Sequence, residues 1–85
     1  MTILDARCLR EKASAHQYLK QALALPEYYG CNLDALYDCL TEPEKREIRF
    51  VNLDAAAETY FSKLLSLFQE AQAEAPWLHL SYDFD

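Results

Sequence analysis

Eighty-five residues, 52% of them hydrophobic and 13% aromatic, suffice for one domain over residues 1–85 with a core of its own, and argue against a disordered chain. A formal net charge of −6 disfavours nucleic acid and anionic membrane surfaces, both of which call for Lys and Arg, and favours a basic protein partner. Cys8, Cys31 and Cys39 make no metal-binding spacing with His16 and His79, no apolar run nears the roughly 20 residues of a membrane span, and no export signal opens the chain, so a reduced, cytoplasmic protein without metal or cofactor is expected.

Thr2 to Leu4 reads as a first strand. Ser14 and Gln17 have the spacing of a capping box, which predicts a helix from about Ala15 to Ala24, ended by Pro26. Asn32 is a good N-cap for a second helix, Leu33 to about Leu40, closed by Pro43. Ile48 to Leu53 is β-branched and aromatic and predicts a second strand. Asp54 is expected to cap a long third helix running to Glu74, because Ala57, Tyr60, Phe61, Leu64, Leu67, Phe68 and Ala71 recur at helical spacing. Beyond Pro76, Leu78, Leu80, Tyr82 and Phe84 alternate against Trp77, His79, Ser81 and Asp83, predicting a third strand over Trp77 to Phe84. Strands separated by helices pair in parallel, so the expected fold is a two-layer α/β domain with a three-stranded parallel sheet.

The unusual stretch lies between Gln21 and Glu44. Glu27, Asp34, Asp38, Glu42 and Glu44 fall there without a single Lys or Arg, where ordinary surfaces mix both signs. On the second helix, at ~100° per residue, Leu33, Leu36 and Leu40 share one face with Tyr37 at its edge, while Asp34, Asp38 and Thr41 share an adjacent exposed stripe. Carboxylates four residues apart repel, and Asp38 also lies where the helix dipole disfavours negative charge. A helix selected only for stability would carry Lys there, so the conflict marks a functional stripe. Tyr28 and Tyr29 precede it on a loop, where one is expected to pack inward and the other to face outward as an interface anchor.

The run Leu25-Pro26-Glu27-Tyr28-Tyr29-Gly30-Cys31-Asn32-Leu33-Asp34-Ala35-Leu36-Tyr37-Asp38-Cys39-Leu40-Thr41 resembles the loop and helix of the barstar family, intracellular inhibitors of barnase-type ribonucleases. Phe68-Gln69-Glu70-Ala71-Gln72-Ala73-Glu74 is similar to the family's last helix, and the element order agrees. The resemblance implies a 1:1 complex with a basic secreted or toxin-type ribonuclease, in which Asp38 enters the enzyme's phosphate site. It further implies that Tyr28 stacks on the enzyme, Asp34 and Thr41 hydrogen-bond it, Glu70 completes the acidic rim, Gly30 and Asn32 shape the loop, and Leu33 and Tyr37 belong to the contact. The chain departs from the family's pattern in places. Tyr37 stands where the best-known member has tryptophan, an adjacent tryptophan after the helix is absent and replaced near Pro43-Glu44, and the segment between the second strand and the last helix is shorter.

Catalysis finds little support. Paired carboxylates that do acid–base work need a cleft that raises one pKa by burial, whereas these fall on an exposed stripe. No Ser-His-Asp or Cys-His arrangement is legible, and a chain with one glycine has no glycine-rich phosphate loop. His16 and His79 read as packing or surface residues. The expected function is therefore inhibition by an acidic helix, the alternative being an acidic interaction module of the same fold for another basic protein.

Overall fold

The computed structural model describes residues 1–83 apart from Ala57. Strands β1 (Thr2–Asp5), β2 (Arg46–Val51) and β3 (Leu78–Tyr82) pair in parallel in that order, as the sequence pattern predicts. Helices α1 (Lys12–Ala22) and α2 (Leu33–Leu40) fall between β1 and β2, and α3 (Tyr60–Glu74) between β2 and β3. Each crossover steps to the next strand in the same direction, and crossovers of one hand then leave every helix on one face of the sheet. The strands alternate accordingly. Leu4, Ile48, Phe50 and Leu78 are buried, whereas Ile3, Glu47, Arg49 and His79 are exposed on the opposite side. The register sets Leu4 beside Phe50 and Ile48 beside Leu80, making the apolar side continuous across the strands.

Phe50 is the hub of the core, its ring centroid 5.6 Å from Phe61, 5.1 Å from Phe68 and 5.7 Å from Tyr82. Helix α3 contributes Phe61, Leu64, Leu67, Phe68 and Ala71 at the expected positions, and α2 contributes Leu36, Cys39 and Leu40. Leu33, assigned to the buried face, is half-buried instead, because it stands in the first turn at the rim of the core.

Several element ends differ from expectation, each for a local reason. Helix α1 begins at Lys12 with Glu11 as an extended N-cap that makes no side-chain bond. Ser14 lies inside the first turn, its hydroxyl donating to the Glu11 carbonyl at 3.4 Å. A serine can bond back to the preceding turn as readily as it caps, and here it does the former. Strand β2 runs two residues earlier than predicted at both ends. Arg46 joins it, its N–H donating to the Trp77 carbonyl at 3.1 Å and its guanidinium Nη1 to the Leu23 carbonyl at 3.1 Å. Asp54 does not cap a helix but sits in a 3-10 turn, Leu53–Ala56. Left-handed Asn52 (φ 58°) and Glu58 (φ 60°) flank that turn and break what the apolar spacing reads as one helix. Thr59 caps α3 instead, its Oγ1 accepting from the Phe61 N–H at 3.3 Å. Strand β3 is shorter than predicted, beginning after Trp77, and the expected Ala57 and Phe84 lie outside the described residues.

A second 3-10 helix, Ala6–Leu9, follows β1 and had no sequence signal. Asp5 caps it, and the hydrogen bond from the Arg7 guanidinium, 2.8 Å away, holds the Asp5 carboxyl at about 2.

The end of α1 yields a prediction. Leu25 N–H donates to the Lys20 carbonyl at 2.9 Å and Ala24 N–H to the Gln21 carbonyl at 3.3 Å, the paired bonds of a Schellman motif. Ala24, at φ 51°, occupies the left-handed position usually taken by glycine. Relief of its Cβ clash, offset by greater freedom of the unfolded chain, should make Ala24→Gly more stable by about 0.5–1 kcal/mol. Denaturant unfolding checks this, and a lower midpoint for the variant would contradict it.

Candidate partner-binding face

The loop ahead of α2 is held from within. Tyr29 N–H donates to the Pro26 carbonyl at 2.9 Å, which turns the chain and sends the two tyrosines in opposite directions. Tyr28 is 81% exposed and Tyr29 only 5%, the expected division of one out and one in. The Tyr29 hydroxyl reaches His16 Nδ1 on α1, and His16 Nε2 lies 2.8 Å from the Tyr60 hydroxyl at the start of α3. His16 is wholly buried; burial, with Lys12 nearby, pushes its pKa below the usual histidine range. Burial likewise raises the Tyr29 and Tyr60 hydroxyls above the ordinary phenol value.

Asn32 joins loop to helix. Its Oδ1 accepts from the Ala35 N–H at 2.8 Å, capping α2, while its Nδ2 donates to the Gly30 carbonyl at 3.3 Å. A Cβ on Gly30 would stand 3.0 Å from that Nδ2. Glycine is therefore favoured here by the close approach of the capping side chain. The left-handed residue is its neighbour Cys31, at φ 54°, a conformation that a side chain makes unfavourable.

On α2, Leu36, Cys39 and Leu40 anchor the helix, Leu33 and Tyr37 are half-buried, and Asp34 and Asp38 are exposed. The Thr41 hydroxyl donates to the Tyr37 carbonyl at 2.9 Å, leaving its oxygen lone pairs for an incoming donor. Among the described residues neither Asp34 nor Asp38 has a cation within 4.0 Å, and no basic residue stands in the last turn.

Helix α3 packs beside α2 and supplies the far wall. Leu33, Asp34, Tyr37 and Glu70 line one open cleft of about 430 Å³, together with Leu67, Ser66 and Lys63. Asp38 and Thr41 are not part of its lining, and Tyr28, Gly30 and Asn32 belong to the loop. A second cleft, lined by Asn32, Leu33, Asp34, Tyr60, Lys12 and Lys63, adjoins the first. Lys12, Tyr60 and Lys63 were not foreseen at the site. Lys63 was accessible to sequence reasoning, since it precedes Glu70 by seven residues, about two helical turns on the same face of α3.

Among the described residues no group of three His, Cys, Asp or Glu side chains is placed to hold a metal ion, and no helix is long and apolar enough to cross a membrane. The face thus combines an exposed aromatic ring, a rigid capped helix and unpaired carboxylates around a partly apolar cleft. Such a face offers negative charge and hydrogen-bond acceptors, with Lys12 and Lys63 lining the clefts beside them.

The comparisons with known proteins agree. The family model described as Barstar (barnase inhibitor) matches residues 1–81. A protein of Bacillus subtilis (strain 168) named "Putative ribonuclease inhibitor YrdF" is 38% identical over 77 residues, covering 85% of this chain and 85% of its own length. The matched region takes in the sheet, the loop and both helices of the candidate face, and the chain belongs to the barstar family of ribonuclease inhibitors.

Proposed function

We propose that this protein inhibits a basic, barnase-like ribonuclease in a 1:1 complex in the cytoplasm, closing the enzyme's active site with α2 and the Tyr28–Asn32 loop. The observation that carries this reading is the pair Asp34 and Asp38, exposed and, among the described residues, without a cation within 4.0 Å, on a helix anchored by its other side. A site built to hold RNA phosphates presents converging cations, and Asp38 takes the place of a phosphate among them. Tyr28 gives a large ring to stack on the enzyme, while Asp34, Thr41 and Glu70 offer hydrogen-bond acceptors around it. Leu33 and Tyr37 supply the apolar part of the contact, and Gly30 and Asn32 hold the loop in shape. The protein acts by occupying the site and performs no chemistry of its own.

Titration against barnase while following RNA cleavage tests the reading. Cleavage should fall linearly and end at one inhibitor per enzyme. Undiminished cleavage at micromolar inhibitor would reject it.

Charge placement also predicts a kinetic signature. Exposed carboxylates act at long range, so raising salt from about 10 mM to 150 mM shortens their reach from about 30 Å to 8 Å. The association rate should then fall by about tenfold or more, with a smaller change in dissociation. Stopped-flow mixing at several salt concentrations would measure both rates. An association rate indifferent to salt would reduce the acidic stripe to a solvated surface.

A further inference from the structure

His16 lies on α1, which supplies only Lys12 to the clefts, yet its two ring nitrogens meet hydroxyls from the two elements that carry the face. Tyr29 belongs to the loop that presents Tyr28, and Tyr60 opens the helix that presents Glu70. The direction of the bonds follows from burial. The Tyr29 hydroxyl has no other partner among the described residues and is shut off from water, so it donates its proton to Nδ1. Nε2 then bears the hydrogen and donates to the oxygen of Tyr60, which is half-buried and can turn its own proton outward.

We propose that His16 is a positioning residue for inhibition, a neutral bridge that locks the Tyr28–Asn32 loop to α3 so that both halves of the binding face are presented as one rigid surface. The proposal rests on the inhibitor reading above for its function, though not for the lock itself. The charged or titratable groups around the bridge are Lys12 on α1, Tyr29 and Cys31 on the loop, Cys39 on α2 and Tyr60 on α3, with Asp34 and Lys63 lining the second cleft beside Tyr60 and Lys12. Asp34 is the one carboxylate among them, and two lysines share its cleft; the charge that acts on His16 is that of Lys12, which disfavours an imidazolium. Protonation would set a hydrogen on Nδ1 against the Tyr29 hydroxyl proton and leave that proton buried without an acceptor. The neutral bridge is complete above the unfolded histidine value of 6.5, and it weakens as pH falls below that value toward the lower folded pKa.

Tyr60→Phe removes one hydroxyl from a half-buried ring and should leave the fold intact. In the free protein, amide exchange at residues 28–32 should accelerate by about fivefold or more, although the change is on another element. Corrected for intrinsic chemistry, the same exchange should also rise in the wild type below pH 6.5 but not in His16→Gln. In complex with barnase, Tyr28→Ala and Glu70→Ala should be non-additive in dissociation rate by about twofold or more, and additive in the Tyr60→Phe background. Unchanged loop exchange in Tyr60→Phe overturns the lock whatever the enzyme does. Exchange that responds, with additivity in both backgrounds or equal non-additivity in both, overturns the positioning role. If exchange responds but the wild type does not bind barnase, the inhibitor reading fails and the positioning role with it, while the lock stands.

Discussion

Asp38→Ala should weaken the complex with a barnase-type ribonuclease more than any other single carboxylate change, by about 2–5 kcal/mol or more, a range drawn partly from complexes of this family. The argument begins in the free protein. Asp38 is exposed and has no cation within 4.0 Å among the described residues, while Leu36, Cys39 and Leu40 hold the helix from the other side. Truncation therefore removes no core contact. It even relieves a negative charge in the second half of α2, whose last turn has no basic residue, so stability should stay level or rise by about 0.3 kcal/mol. In the proposed complex the same carboxylate would be desolvated among cations that lose their partner when it goes. Glu42, exposed beyond the helix end, would keep its water in the proposed complex and should change affinity by less than about 1 kcal/mol. The measurement is binding alongside thermal melting for Asp34→Ala, Asp38→Ala, Glu42→Ala and Glu70→Ala. Wild-type binding by Asp38→Ala, with weakened binding by Glu42→Ala or Glu70→Ala, would show that the family's register does not apply. A sharp fall in melting temperature for Asp38→Ala would make the residue structural and remove the main support for inhibition.

The largest loss of stability should come from Phe50→Ala. Its ring is wholly buried and meets Phe61, Phe68 and Tyr82 at 5.1–5.7 Å, so one truncation opens a cavity where β2, β3 and α3 converge. Phe→Ala in such a setting costs about 3–5 kcal/mol. At about 0.05–0.15 kcal/mol per residue, a chain of this length holds only a few such increments. Ile3, on the strand paired to β2 but 58% exposed on the bare side of the sheet, is the control. Ile3→Ala should change stability by no more than about 0.5 kcal/mol. Urea denaturation of both variants decides the matter. Similar losses for the two would mean that the sheet is not buried on one side only.

How far the chain could be read in advance depended on the range of the forces involved. The bounds, cap and acidic stripe of helix α2 were legible because all are local, and of its apolar face only Leu33, at the rim of the core, is less buried than the pattern predicts. The sheet was legible because strands that alternate must bury one side, and only strand ends moved, β1 by one residue to Asp5 and those of β2 and β3 by one or two. The segment from Asn52 to Thr59 was misread, since two left-handed residues that are not glycine gave no warning that the helix would start late. The binding face was half legible. Asp34, Asp38 and Tyr28 announce themselves by sequence, whereas the cleft requires α3 to lie beside α2, a packing outcome that brings in Lys63 and Tyr60. The His16 bridge was beyond reach for the same reason, since its partners lie 13 and 44 residues away in sequence.

The bare side of the sheet has a consequence for how the family can change. Along β2 and β3, alternate residues answer to different demands: Ile48, Phe50 and Leu78 to the core, while Glu47, Arg49 and His79 are exposed, Glu47 meeting Lys45 and Arg49 the Ser81 hydroxyl at the surface. The proposed contact with the enzyme lies on the helical layer, beyond the core from these positions. If the contact lies there, recognition can be rewritten on α2, α3 and the loop while the outward strand positions, held only by surface contacts, change independently of it. For the same reason a dye, a tether or a fusion joined at His79 would leave the binding surface unobstructed. The molecule in effect has a working front and a blank reverse, and the reverse is where an experimenter can take hold of it.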